Sequence, residues 1–246
     1  MTSTLPDLSG KTALVTGASR GIGFALALGL AKARAHVIAL ARTVGGLEAL
    51  DDAIKDAGGN ASLINADITD REAMTAIGPT LSTRFPTLDI LVMAAGTLGE
   101  LAPLHHCDEK MWQGVIDTNL SANWRLLAGL HPLLEAAPAA RVVCLTSRVG
   151  GADARANWGP YAVSKAGLEM LARTYAAENR HLGTRVAILD PGAMRTKMRA
   201  KAMPGEDPQT LPHPDHLLPL FFEAIADDYD GEAARFVKRE WQQAQK

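Results

Sequence analysis

Tyr161 and Lys165 stand four residues apart in Gly-Pro-Tyr-Ala-Val-Ser-Lys. On a helix that spacing brings both side chains to one face, a turn apart. A neutral phenol is a weak proton donor or acceptor near neutral pH, and a neighbouring ammonium favours the phenolate and draws its pKa toward the working range. Among the three tyrosines of the chain only Tyr161 has a lysine at this distance. A surface tyrosine beside a solvated lysine has the same spelling, so the elements around the pair must decide.

The strongest of these elements lies near the start. Thr12-Ala13-Leu14-Val15 is a short apolar run of the kind that forms a strand buried on both faces, ending at Thr16. Ile22 to Lys32 is rich in Ala and Leu, free of proline and suited to a buried helix. Between them sits Thr-Gly-Ala-Ser-Arg-Gly-Ile-Gly, residues 16–23. Strand, glycine turn and helix in that order leave backbone N–H groups at the helix start, where the dipole favours a pyrophosphate. Gly17 and Gly21 would permit the turn and a close ligand, and Gly23 tight packing of helix on strand. A glycine-rich turn with no ligand is the alternative.

The rest of the chain repeats the alternation. Strands are expected at 36–41, 61–66, 88–93, 141–145 and 185–189, with helices at 43–58, from about Asp70, at 108–135 and at 160–181. The 108–135 segment carries a stripe of Trp112, Val115, Ile116, Leu120, Trp124, Leu127 and Leu130. Residues 148–159 read as a polar loop, and 236–241 as a faint final strand. This pattern is α/β: a parallel sheet covered on both faces, with ligands at the carboxyl ends of its strands. At 246 residues and with no linker, one domain (1–246) is expected.

Composition excludes several classes. A net charge of −2 gives no electrostatic reason to expect nucleic acid or an anionic membrane as partner. The opening Met-Thr-Ser-Thr-Leu-Pro-Asp has neither a basic region nor an apolar core, and no apolar run approaches a membrane span, so a cytoplasmic location is expected. Cys107 and Cys144 do not make a disulfide framework. His105, His106 and Cys107 are adjacent, an arrangement that rarely converges on one ion; a solvated loop and no metal are expected.

Thr16-Gly17-x-x-x-Gly21-x-Gly23, Ala95-Gly96, Asn119, Ser147, Tyr161-x-x-x-Lys165 and Pro191-Gly192 followed by Thr196 occur in the order and approximate spacing of the short-chain dehydrogenase/reductase family, which the chain resembles over most of its length. The stretches 155–161 and 191–196 resemble a bacterial branch whose substrates are generally unassigned. The resemblance implies a Rossmann-type doubly wound sheet and hydride transfer between a nicotinamide and a carbonyl or alcohol carbon. It implies Tyr161 as general acid or base, Ser147 on the substrate oxygen, Lys165 tuning Tyr161 and holding the ribose, and Asn119 anchoring a proton-relay water. Cofactor contacts are implied for Gly17, Ser19, Arg20, Gly21, Ile22 and Gly23, for Asp67 and Ile68 near the adenine, for Ala95 and Gly96, and for Pro191, Gly192 and Thr196 at the nicotinamide. Asp67 read alone would serve as a helix cap. Homodimers or homotetramers through the helices bearing Asn119 and Tyr161 are usual in such proteins.

The end of the second strand bears on the cofactor. A ribose 2′-OH is usually met by Asp or Glu there, whereas a 2′-phosphate needs a cation and no nearby carboxylate. This chain has Ala41 then Arg42, with Arg20 available from the glycine turn, which argues for NADP(H). Both arginines would also suit an ordinary surface.

Two departures from the family pattern stand out. Ala94 replaces the usual Asn, removing an amide that ties the central strands and loosening the cofactor site, and the interval from Ser147 to Tyr161 is one residue wider than usual. Ser147 rather than Thr146 is expected to face the cleft. These departures keep alive a catalytically silent NADP(H)-binding sensor or scaffold; an enoyl reductase or epimerase on the same fold is a further alternative. Residues 194–215 are expected to form a substrate lid, whose Arg195, Lys197, Arg199 and Lys201 would suit an anionic substrate or simply a surface helix.

Overall fold

The computed structural model describes residues 5–151, 153–226 and 234–237. In chain order it runs β1 (Thr12–Thr16), α1 (Gly21–Lys32), β2 (His36–Ala41), α2 (Val44–Asp56), β3 (Ala61–Asn65), α3 (Arg71–Ser82), β4 (Ile90–Met93), α4 (Glu109–Ile116), α5 (Ala122–Glu135), β5 (Arg141–Leu145), α6 (Arg148–Gly151), α7 (Gly159–Glu178), β6 (Arg185–Asp190), α8 (Lys197–Ala202), α9 (Leu218–Ala224) and β7 (Ala234–Val237). The strands form one parallel sheet in the order β3-β2-β1-β4-β5-β6-β7.

Strand alternation sends each apolar run to two cores. Ala13, Val15, Val92, Val143 and Leu189 face one layer with α1, α2 and α9; Leu14, Leu91, Val142, Cys144 and Ile188 face the other with α3, α5 and α7. Both faces being dry, the strands read as continuous apolar runs rather than alternating ones. Chain direction across the sheet reverses between β1 and β4. The crevice above their carboxyl ends is the natural binding place of such a sheet.

The structure corrects four expectations. The helix expected over 108–135 is interrupted: residues 117–121 form a π turn between α4 and α5. The wider turn shifts the phase of the apolar stripe, so Trp124 is 56% exposed while Leu127 and Leu130 are buried. The expected loop at 148–159 begins as α6, whose Gly150 and Gly151 N–H groups donate to the Ser147 carbonyl. The final strand is β7, two residues earlier than expected and paired with β6; residues 238–241 of that expectation, and residues 1–4 of the opening segment, lie outside the described residues. Asp70, not Asp67, caps α3, accepting from the Ala73 N–H.

Candidate active site

The crevice is built at the β1–β4 junction. The Thr16 hydroxyl donates to the Val92 carbonyl at 3.4 Å and accepts from the N–H groups of Ala94 and Ala95, both at 3.1 Å. One side chain thus stitches β1 to the end of β4, beside the position where the Asn is missing. These bonds tie the strand ends at the place where the loosening from Ala94 is expected. Gly17 has φ +67°, and a Cβ there would stand 2.8 Å from Ala95 Cα; a Cβ on Gly23 would stand 2.4 Å from the Gly17 carbonyl oxygen. These glycines let the turn pack onto β4 and the helix onto the turn, so Gly17 serves backbone packing as well as conformation. The start of α1 carries no side-chain cap and no acidic residue in its first turn, which leaves its N–H groups and positive dipole end for an anion.

At the end of β2, Arg42 is ion-paired with Asp67 at 3.1 Å. The absence of a nearby carboxylate, expected from the sequence, is corrected: Asp67 comes from the β3–α3 connection, out of sequence reach of β2. Burial pushes the Asp67 carboxyl up, but hydrogen bonds from the Thr69 N–H, the Thr69 hydroxyl and Arg42 outweigh it and hold the group below the usual carboxylate range. Asn65 Nδ2 donates to the carbonyls of Ala41 and Arg42 and fixes the backbone under the guanidinium. Both partners of the ion pair are solvated, Arg42 being 66% exposed, so the pair contributes little stability and leaves the guanidinium accessible to a ligand. Arg20 is exposed at the mouth of the same crevice.

Tyr161 and Lys165 lie on the inward face of α7, both buried. Burial pushes the Tyr161 hydroxyl up to about 12, overriding a hydrogen bond with Ser147 that acts the other way. Burial likewise brings the Lys165 ammonium down to about 8. The lowered tyrosine pKa expected from the spacing is therefore not found. Lys165 Nζ donates to the Leu145 carbonyl at 2.7 Å and stands 5.9 Å from the Tyr161 ring centre, too far to offset the loss of water around the phenol.

The two hydroxyls at the end of β5 divide as strand alternation dictates. Thr146 points to the α7 core, where its Oγ1 donates to Oε1 of buried Glu169 at 2.6 Å, while Arg173 pairs with the other oxygen. Ser147 is left to Tyr161. Glu169 was missed in the sequence, although its place four residues beyond Lys165 put it on the same helix face. Asn119 is fully buried in the π turn: Oδ1 accepts from the Thr97 N–H, and Nδ2 donates to the Thr97 carbonyl and to Ser164 Oγ. Its main-chain carbonyl accepts from Asn123 Nδ2 at 2.7 Å. The side chain is bonded to protein partners at both ends, behind the cleft wall rather than in it.

One cleft of about 1560 Å³ is lined by Gly17, Ser19, Arg20, Gly21, Ile22, Gly23, Arg42, Asp67, Ile68, Ala95, Gly96, Ser147, Tyr161, Lys165, Pro191, Gly192 and Thr196; of the expected catalytic and cofactor-contacting residues only Asn119 is absent. Thr196 caps α8 through the Arg199 N–H, and its methyl faces Gly21 across the crevice. Trp158 went unassigned in the sequence, where it stands in a polar stretch. It packs edge-on to Tyr161 at 5.8 Å and, with Leu98 and Ala202, makes an apolar wall beside the phenol. Most of the cations of 194–215 are engaged internally: Arg195 with the carbonyls of Gln209 and Leu211, Arg199 with Glu206, and Lys201 with the Gly99 carbonyl. No helix of the described residues is long and apolar enough to cross a membrane, and among them no group of His, Cys, Asp and Glu is arranged to hold a metal.

The chain is similar to known proteins in sequence and fold. The family model for short chain dehydrogenases matches residues 11–207. The Escherichia coli K12 protein named uncharacterized oxidoreductase YciK is 34% identical over 224 residues, covering 90% of this chain and 88% of its own. A short chain dehydrogenase of Shigella flexneri 2a strain 301, complexed with NADP, superposes with a TM-score of 0.89 at 33% identity, covering 94% of this chain and 98% of that one. One from Escherichia coli CFT073, complexed with NADPH, gives 0.90 at 33% identity with 95% and 98% covered. With the glycine turn, the Ser147–Tyr161–Lys165 cluster and the sheet order already in place, this chain belongs to the short-chain dehydrogenase/reductase family.

Proposed function

We propose that the chain is an NADP(H)-dependent oxidoreductase that works as a carbonyl reductase. The observation that carries this reading is a neutral, buried Tyr161 hydroxyl, bonded to Ser147 and set in the same cleft as the uncapped start of α1. The residues fit the cofactor: α1 takes the pyrophosphate, Arg20 and Arg42 face the 2′-phosphate end, and the relatives from Shigella and Escherichia carry NADP and NADPH. When bound, the nicotinamide supplies the hydride. Tyr161 Oη gives its proton to the carbonyl oxygen as negative charge develops there, and Ser147 Oγ holds that oxygen in place. Burial keeps the Tyr161 proton in place at neutral pH, so the resting hydroxyl holds the proton that reduction consumes. Lys165, close to neutral pH in its own titration, returns the proton to Tyr161 and holds the ribose. Asn119 positions the Gly96–Thr97 backbone and Ser164 behind them.

The whole chain, 1–246, acts as one catalytic domain in the cytoplasm, as a homodimer or homotetramer, with 194–215 as the lid over the substrate. The stitching of Ala94 by Thr16 and the placing of the wider Ser147–Tyr161 interval in α6 support an active enzyme over a silent sensor. The test is NADPH consumption against a panel of aldehydes, ketones, quinones and enones, with Tyr161→Phe alongside. Turnover by the native protein that disappears in Tyr161→Phe while NADPH still binds is the expected result. Tight NADPH binding with no turnover of any panel member overturns the reductase reading in favour of the sensor.

A further inference from the structure

The cations beside the substrate end of the cleft are Arg148, Arg155, Arg195, Lys197, Arg199 and Lys201. Arg148 is held by Asp153, Arg199 by Glu206, and Arg195 and Lys201 by backbone carbonyls. Among the described residues, Arg155 and Lys197 have no hydrogen-bonding or ionic partner for their side chains. They differ in how they are held. Arg155 lies over the Trp158 ring, Cζ 5.1 Å from its centre, and that ring meets the Tyr161 ring in a T-shaped contact at 5.8 Å. The loop beneath is pinned by the Asn157 carbonyl, which accepts from the Ala102 N–H, and Asn157 takes the left-handed φ of +69° that its short amide side chain tolerates. A stacked guanidinium keeps its planar edge free for a carboxylate. Lys197, at the start of α8, is an exposed flexible chain with nothing to fix it.

From the phenol outward the cleft thus offers an apolar wall of Leu98, Trp158 and Ala202 and, beyond the indole, one oriented cation. We infer that the substrate is a carbonyl compound with an apolar or aromatic body and a carboxylate at its far end, read by Trp158 and Arg155. The inference rests on the carbonyl-reductase reading for where the carbonyl sits, and moves the anion-recognising charge from the lid to the loop before α7. A neutral carbonyl compound fills the apolar wall but leaves Arg155 unused.

The probes are para-formylbenzoate and its methyl ester, of like shape and differing in charge. Each is titrated by calorimetry into protein loaded with NADP+, which binds without turnover, and into protein alone. The acid should bind about fivefold more tightly than the ester, the size expected of one solvated charge pair. Arg155→Gln should remove that preference with ester binding unchanged, Arg155→Lys should keep part of it, and Lys197→Gln should keep it whole. Equal binding of acid and ester, failure of both to bind, or a preference that survives in Arg155→Gln overturns the inference. Preference for the acid without its reduction when NADPH replaces NADP+ counts against the reductase reading and leaves the recognition by Arg155 standing.

Discussion

Asn119→Ala removes three hydrogen bonds at once, two to the backbone of Thr97 and one to Ser164 Oγ. At about 1 kcal/mol net for each bond, and with Asn119 wholly enclosed so that water does not readily replace them, the loss should be about 3 kcal/mol. A domain of ordinary stability has about 5–15 kcal/mol in hand, so the variant should fold but unfold at roughly 1 M lower urea. The consequence for chemistry follows from neighbours. A Cβ on Gly96 would stand 3.3 Å from Asn119 Oδ1 and 3.7 Å from Lys165 Nζ, so the amide, the Gly96 backbone and the ammonium share one wall. Truncating the amide opens that wall to water, relieves the burial that brings Lys165 down to about 8, and moves its titration back toward 10.5. Asn119→Asp should be no better than alanine, since it sets an acceptor against the Thr97 carbonyl and a charge in a fully buried site. Urea unfolding followed by circular dichroism, with the pH dependence of NADPH-linked turnover, checks both parts. A stability loss under about 1 kcal/mol, or an aspartate variant equal to the native protein, would refute the reasoning from spent hydrogen bonds.

Two further outcomes are expected. Arg42→Ala should weaken NADPH binding by about tenfold, the size of one charge-assisted phosphate contact, and change NADH binding by less than about twofold; equal losses measured by fluorescence titration would remove the 2′-phosphate assignment. For the protein without cofactor, Lys165 titrates near 8 when folded and at 10.5 when unfolded, so above pH 8 the unfolded chain holds the extra proton and stability rises with pH. The rise, on the order of 1 kcal/mol per pH unit, is confined to about pH 8–9. Cys144, with an ordinary value of 9.0, and Tyr161, with 10.0, are both pushed up to about 12 by burial and lower stability as pH climbs further. In urea titrations at stepped pH, Lys165→Met should flatten the rise; an unchanged slope would assign it to another group.

The strands and the glycine turn were legible because their signals are local. A strand buried on both faces must be a short apolar run, and a turn packed on a neighbouring backbone must lack a Cβ; each condition is written at the position that obeys it. The Tyr161–Lys165 pairing was legible for the same reason, as a matter of helix spacing. What it does to pKa was not, because the sequence shows the ammonium nearby but not the burial that outweighs it. The π turn is written by distant partners: Thr97 and Ser164 draw Asn119 inward, and the stripe read from 3.6-residue spacing then assigns Trp124 to the wrong side. Charges follow the same rule. In sequence, Arg195, Lys197, Arg199 and Lys201 suit an anionic substrate or a surface helix equally, and nothing local sets Arg155 apart. In the fold, Arg195, Arg199 and Lys201 are engaged by carbonyls and by Glu206, whereas Arg155 is oriented by an indole and left with its edge open. A charge reads a ligand only where the protein holds it in place without neutralising it, and that depends on what faces the residue across the fold rather than on what stands beside it in the chain.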